Sequence, residues 1–149
     1  MNRDDFPAPT EGIAVTHFLV AKDIAITARF YAEVLGGDLV FEGEGSPSVV
    51  KLANTWIIVN VGGGPTPDKP EVTLEASTDR ARADAFMNIR VADIESVYEE
   101  WSNRGAEFLT QPLDNNGVEM RCYVRDPDGR IIEVGQATGM IQMLGLDGG

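Results

Sequence analysis

The sequence predicts an α+β fold in which two βαβββ modules form a cupped mixed β-sheet. Three observations predict it: an internal repeat, the same order of strand and helix patterns in both halves, and a globular composition. The chain has 149 residues, of which 43% are hydrophobic and 24% are charged. This length suits one domain or two small modules that share a core.

The internal repeat relates the strand that contains Val20 to the strand that contains Val91, an offset of 71 residues. This offset places His17 on Asn88. In each half the pattern is a strand, a helix that ends at glycine, and three short strands.

The first module begins with a strand at residues 13–20, which alternate and are rich in β-branched side chains. Asp23 is a good helix N-cap. The following helix is predicted to bury Ile26, Phe30 and Val34, with Tyr31 and Leu35 widening the apolar stripe. Strands are then expected at 38–42, 48–52 and 55–61.

The second module repeats this order. Asp93 is the predicted N-cap, and the apolar stripe comprises Ile94, Val97, Tyr98 and Trp101. Gly105 ends the helix. Strands are expected at 106–109, 118–125 and 130–135, with turns at Asn116–Gly117 and at residues 126–129.

Alternation along the last two strands separates two kinds of side chain. Cys122 and Val124 lie on an apolar side that can pack on the helix, so Cys122 is predicted to be core. Arg121, Tyr123 and Glu133 lie on a mixed side. This side could line a cavity or face water, and periodicity does not distinguish the two.

These patterns predict a chain of five segments. They are an N-terminal tail at 1–12, the first module at 13–61, a linker at 62–83, the second module at 84–136, and a C-terminal tail at 137–149. The linker carries a candidate short strand at residues 72–74, and the C-terminal tail carries a cluster of apolar residues at 140–144 that could dock on the protein.

Charge and residue counts exclude several classes of function. The formal net charge is −12, which disfavours binding to nucleic acids and to anionic membranes. One Cys and one His exclude a disulfide framework and a Cys-rich zinc site. With no long apolar run and no signal-peptide pattern, we expect a cytoplasmic protein.

Three segments resemble the vicinal oxygen chelate superfamily, which includes glyoxalase I, extradiol dioxygenases, fosfomycin-resistance enzymes and bleomycin-resistance proteins. Residues 16–24 resemble its first strand and helix, and residues 87–94 resemble the matching strand of its second module. Residues 123–133 are similar to its closing hairpin. The resemblance implies the glyoxalase/bleomycin resistance/dioxygenase fold and a homodimer.

The resemblance also implies a divalent metal ion (zinc, nickel, iron or manganese) in a cavity between the modules. The ligands carried over are His17, Asn88 and Glu133, and Glu133 could also be the catalytic base. A fourth ligand would fall near Val59, which is apolar. Asn88 departs from the pattern, because a neutral amide is a weaker ligand than an imidazole.

Four further side chains are candidate contacts to a small-molecule substrate: Arg90, Arg121, Tyr123 and Trp56. Arginines on the mixed side could hold an anionic group. Packing is the competing interpretation for Trp56. Tyr123 could be a hydrogen-bonding residue of the cavity wall or an acid/base, and the wall is favoured.

Three functions remain open on the sequence. The first is a metal-dependent lyase or dioxygenase that acts on a small molecule. The second is a metal-free small-molecule binding protein that resembles bleomycin-resistance proteins. The third is a structural or regulatory protein whose cavity is filled core.

Overall fold

The first module is a four-stranded mixed sheet with one helix. We describe it from a computed structural model, in which residues 12–44 and 47–136 are described. The strands are ordered β1–β4–β3–β2, with β1 parallel to β4 and the other pairs antiparallel. Their bounds are β1 Thr16–Val20, β2 Asp38–Phe41, β3 Ser48–Leu52 and β4 Thr55–Asn60.

The first helix, α1 (Ile24–Arg29), continues into one π-helical turn at Phe30–Val34. The Asp23 side chain caps it by accepting a hydrogen bond from the Ile26 backbone N–H. The predicted apolar stripe is wrong at Ile26, which is 59% exposed. The buried side contains Tyr31 and Leu35, as predicted, together with Thr27 and Ala28. The hydroxyls of Thr27 and Tyr31 bind carboxylates, and the apolar stripe predicts neither these contacts nor the burial of Thr27.

The second module is a five-stranded sheet with the helix α2 (Ile94–Asn103), capped by Asp93. Its main path is β5–β9–β8–β6, and β7 pairs with β8. The strands are β5 Met87–Arg90, β6 Glu107–Phe108, β7 Leu113–Asn115, β8 Glu119–Arg125 and β9 Ile131–Gln136. Strand β7 is missing from the sequence prediction, because its three residues have no alternation long enough to detect.

Two compact units divide the described chain. One contains Val15–Asp84 and Arg125–Arg130; the other contains Ala85–Val124 and residues 131–136 together with 12–14. The segment predicted as a linker, 62–83, therefore groups with the first module. The short strand expected at 72–74 is reduced to an isolated bridge between Leu74 and Gly63.

The helix caps show which residues of the two modules correspond. Asp23 and Asp93 occupy the same position in the two modules and lie 70 residues apart. The offset of 71 residues expected from the sequence is therefore wrong by one. The structural equivalent of His17 is Met87, and the equivalent of Asn88 is Phe18.

Other sequence predictions are confirmed. The α+β fold of two similar modules is observed, with the strands divided between two mixed sheets; the second module has β7 in addition to the predicted βαβββ order. Cys122 and Trp101 are buried at 2% and 6% exposure. Asn116 and Gly117 both adopt positive φ, as the predicted turn requires. The expected tails lie outside the described residues, apart from Gly12. Among the described residues, no helix is both long and apolar enough to cross a membrane.

Candidate functional site

Each sheet has one face that packs on its own helix and one that does not. In the second sheet the helix-facing side holds the buried side chains of Cys122, Val124, Ile132 and Val134. Because side chains alternate along a strand, the intervening residues lie on the opposite face. We call this opposite side the charged face; its polar residues include Asn88, Arg90, Glu119, Arg121, Tyr123 and Glu133.

Arg90 is the centre of the charged face. Its Nη1 donates to Glu119 Oε2, and its Nη2 lies 3.4 Å from Glu133 Oε1. The three side chains are 17%, 13% and 7% exposed, respectively. One guanidinium thus neutralises two carboxylates in a nearly enclosed setting, where unpaired charges would be costly. A second, more exposed arginine, Arg121, lies 3.8 Å from Glu119.

Tyr123 completes the polar contacts of Glu133. Its hydroxyl donates to Glu133 Oε2 at 3.3 Å, and its ring contacts Phe86 edge-on at 5.9 Å. Desolvation, followed by the nearby Glu133 charge, raises the pKa of the Tyr123 phenol above its ordinary value. Tyr123 is therefore a neutral donor at physiological pH, and both Glu133 oxygens have a protein partner.

The first sheet carries a very different helix-free face. Register places Phe18, Ile58, Val49 and Phe41 in one row across its four strands. Trp56 belongs to the next row, beside Thr16 and Lys51. We call this side the apolar face and define it by five residues: Phe18, Phe41, Val49, Trp56 and Ile58.

The apolar face is open to solvent at its aromatic positions. Phe18, Phe41 and Trp56 are 48%, 55% and 39% exposed. The Lys51 ammonium lies 5.1 Å from the centre of the Trp56 ring, within the range of a cation–π contact. Exposed apolar side chains that lie next to one another on one face are typical of a binding surface.

His17 does not lie on the helix-free face of its sheet. It pairs with Ile57, which pairs with Val50, and these two neighbours are fully buried on the side where α1 packs. His17 sits at the end of this row on an edge strand and is exposed. In contrast, Asn88 and Glu133 are direct neighbours on β5 and β9 and share the charged face.

The charged face does not fit a divalent metal ion as it stands. Glu133, the carboxylate that the resemblance implies as a ligand, is bound by Arg90 and Tyr123. Asn88 offers only a neutral oxygen. Among residues 12–44 and 47–136, no group of three or more His, Cys, Asp or Glu side chains is arranged to hold a metal.

An acidic turn between β8 and β9 belongs to the first unit. Asp126 Oδ2 accepts a hydrogen bond from the Tyr31 hydroxyl at 2.8 Å, and Asp128 Oδ2 accepts one from Thr27 at 2.6 Å. Arg130 pairs with both carboxylates. Burial, with the Asp126 charge second, raises the pKa of the Tyr31 phenol above its ordinary value. These contacts hold the turn against α1, so we interpret the turn as structural.

Sequence reasoning predicted the turn at residues 126–129 but missed Glu119 and the contacts of that turn with Tyr31 and Thr27. Glu119 has the same strand parity as Arg121 and Tyr123, so alternation could have identified it. No local pattern predicts that Tyr31 binds Asp126, because the two residues are 95 positions apart.

The comparisons with known proteins agree with this architecture. The family model described as "Glyoxalase/Bleomycin resistance protein/Dioxygenase superfamily" matches residues 13–134. The virulence protein STM3117 of Salmonella typhimurium is 29% identical over 124 residues, which cover 79% of each chain.

Two solved structures illustrate the range of proteins that share the fold. Lactoylglutathione lyase from Agrobacterium tumefaciens superposes with a TM-score of 0.63 at 17% identity, covering 88% of this chain and 96% of that one. TnmS3, an antibiotic binding protein from Streptomyces, has a TM-score of 0.59 at 19% identity, covering 85% and 98%. At these identities the likeness shows the fold alone.

Proposed function

The chain belongs to the glyoxalase/bleomycin resistance protein/dioxygenase superfamily, and we propose that it binds a small, flat, largely apolar organic molecule without a divalent metal. The apolar face is the proposed binding surface. This is the metal-free alternative among the functions that the sequence left open.

The observation that carries the proposal is the apolar row across the first sheet. Phe18 and Phe41 remain about half exposed, while the helix-facing residues Ile57 and Val50 of the same sheet are fully buried. An aromatic ligand placed on this row would remove apolar area from water, which favours binding by about 25 cal/mol per Å². Aromatic rings also gain from edge or offset contacts with one another.

Trp56 is proposed to contact the ligand directly. It borders the apolar row, and Lys51 over its ring supplies a positive charge at the edge of the surface. Of the other candidate contacts, Arg121 and Tyr123 stay predictions. Arg90 is engaged with two carboxylates and is better explained as part of the protein's own charge balance.

The metal-dependent alternative has less support in the geometry. Its ligand set of His17, Asn88 and Glu133 stays a prediction, as does Glu133 as a base. The helix-facing position of His17 and the pairing of Glu133 with Arg90 both argue against it. The fold itself is compatible with either function, since a lyase and an antibiotic binding protein both share it. The homodimer and the cytoplasmic location also stay predictions.

The binding test uses 2-naphthol as a flat aromatic probe, titrated calorimetrically into EDTA-treated full-length protein. We expect saturable binding that added Mn²⁺ leaves unchanged. Trp56→Leu and Phe18→Ala should each weaken binding roughly tenfold, which corresponds to about 1.4 kcal/mol.

Ile26→Ala is the matched control, because Ile26 is also an exposed apolar residue, at 59%, but lies on α1, away from the apolar face. Its affinity for 2-naphthol should equal that of the wild type. The proposal fails if the wild type does not bind, if binding needs a metal, or if Ile26→Ala weakens binding as much as Phe18→Ala.

A further inference from the structure

We propose that Arg90 is a built-in cation that excludes divalent metal ions from the charged face, and that Gly135 is needed to hold it there. This inference concerns the second module and does not depend on the ligand proposed above.

The first argument is the arrangement of charge. Glu119 and Glu133 bind different nitrogens of one guanidinium, so their carboxylates lie within one side chain's width of each other. Both are nearly enclosed, where repulsion between two carboxylates is strong unless a cation lies between them. Arg90 fills that position. Its Nε is buried and has no hydrogen-bond partner among the described residues, so Arg90 engages the two carboxylates through Nη1 and Nη2 alone.

The second argument is the glycine beside Arg90. Gly135 is the direct strand partner of Arg90, and its backbone is not in the left-handed region that favours glycine. A Cβ at this position would collide with Arg90 Nη1 and would lie 3.5 Å from Glu119 Oε2. A side chain at this position would therefore have to displace the guanidinium, which fills the space that glycine leaves.

The third argument is the set of oxygen atoms that could bind a metal ion if Arg90 were absent. Without the guanidinium, the two carboxylates would share the charged face with Asn88, the strand neighbour of Glu133, and with Tyr123, whose hydroxyl contacts Glu133. All of these are oxygen ligands, which suit hard divalent cations such as Mn²⁺. One arginine thus decides whether the charged face is an internal ion pair or a cation site.

The experiment measures Mn²⁺ binding to the full-length chain by the loss of the free-ion electron paramagnetic resonance signal. We expect Arg90→Ala and Arg90→Met to bind one Mn²⁺ at least tenfold more tightly than the wild type. Mn²⁺ should also raise their melting temperatures, because a ligand that binds only the folded state stabilises it. Adding Glu133→Gln to either variant should abolish both effects.

Arg121→Ala is the matched control. It removes the same charge from beside Glu119, but from a more exposed position and at a longer distance. If loss of any nearby positive charge were sufficient, this variant would gain the same Mn²⁺ site, and the specific role of Arg90 would be refuted.

Gly135→Ala provides a second approach in which the charge of Arg90 is retained. Displacing the guanidinium should produce a weaker version of the same Mn²⁺ binding. Folded Arg90 variants that bind Mn²⁺ no better than the wild type would overturn the proposal. Wild-type binding of one Mn²⁺ that Glu133→Gln abolishes would overturn it too, and this measurement does not depend on any Arg90 variant folding.

Discussion

Phe18 in the first module and Asn88 in the second occupy the same place, five residues before the helix cap. Their neighbours on the adjacent strand are Ile58 and Glu133. The same backbone framework therefore carries an exposed apolar row in one module and a paired charge cluster in the other. The helix-facing side packs the core in both, so the opposite side can change its chemistry without changing the fold.

On the helix-facing side the contrast is reversed, because here the first module carries the polar contact and the second module the apolar one. Tyr31 and Trp101 both lie eight residues after their caps, and both are buried. Tyr31 binds the buried carboxylate of Asp126, whereas Trp101 packs as an apolar side chain on α2. The buried polar contacts therefore lie beneath the helix in the first module and on the helix-free face of the sheet in the second. Four predictions test this contrast.

The largest effect is expected on the charged face. Arg90→Met leaves two nearly buried carboxylates without their cation, which should lower the free energy of unfolding by about 3–5 kcal/mol. Urea denaturation at neutral pH measures it. Arg121→Met should cost about 1 kcal/mol or less, because that arginine is 40% exposed. Equal losses in the two variants would contradict the central role of Arg90.

The next effect is expected under α1. Tyr31→Phe removes a hydrogen bond to a buried carboxylate and should lower stability by about 1.5–3 kcal/mol. The pKa of the Tyr31 phenol is raised in the folded state. The phenol therefore contributes its full share to the free energy of unfolding at any pH below its pKa in the unfolded chain, about 10.

Above that pH the unfolded chain loses the phenolic proton while the folded chain keeps it. The wild type should therefore lose up to about 1.4 kcal/mol of stability per pH unit that Tyr31→Phe does not lose. Denaturation curves between about pH 9 and 11 measure the difference. Parallel losses in the two proteins would exclude this role for Tyr31.

The helix caps should give smaller and matched effects. Asp23→Ala and Asp93→Ala each remove a side-chain acceptor for a backbone N–H and should each cost about 1 kcal/mol. Hydrogen bonds to Ser96 lower the pKa of Asp93, so its stabilisation is present at neutral pH and is lost as the pH falls through that lowered pKa. If only one of the two substitutions lowered the free energy of unfolding, the two caps would not be energetically equivalent.

The smallest effect on stability is expected on the apolar face. Phe18 is about half exposed, so Phe18→Ala should change the free energy of unfolding by less than about 0.5 kcal/mol. The same variant should weaken 2-naphthol binding, as proposed above. A large loss of stability would instead show that Phe18 is part of the packed interior, and the apolar face would need another explanation.

Much of the framework could be predicted from local pattern. Alternation identified the strands of both modules and separated Cys122 from Tyr123, because neighbouring residues on a strand point to opposite sides. Asp23 and Asp93 were recognisable as caps for a chemical reason, since their carboxylates satisfy free backbone donors. Strand β7 and the burial of Thr27 were not recognisable, because one is too short and the other depends on a distant aspartate.

The sequence by itself determined the duplicated α+β framework, since hydrophobic periodicity and capping chemistry act over a few residues. The tertiary structure alone decided which side of its sheet His17 occupies and which partners Glu133 takes. Strand pairing settles the first, because a change of one residue in register moves a side chain to the other face. Arg90 settles the second, because it meets Glu119 and Glu133 only when three separate strands lie side by side.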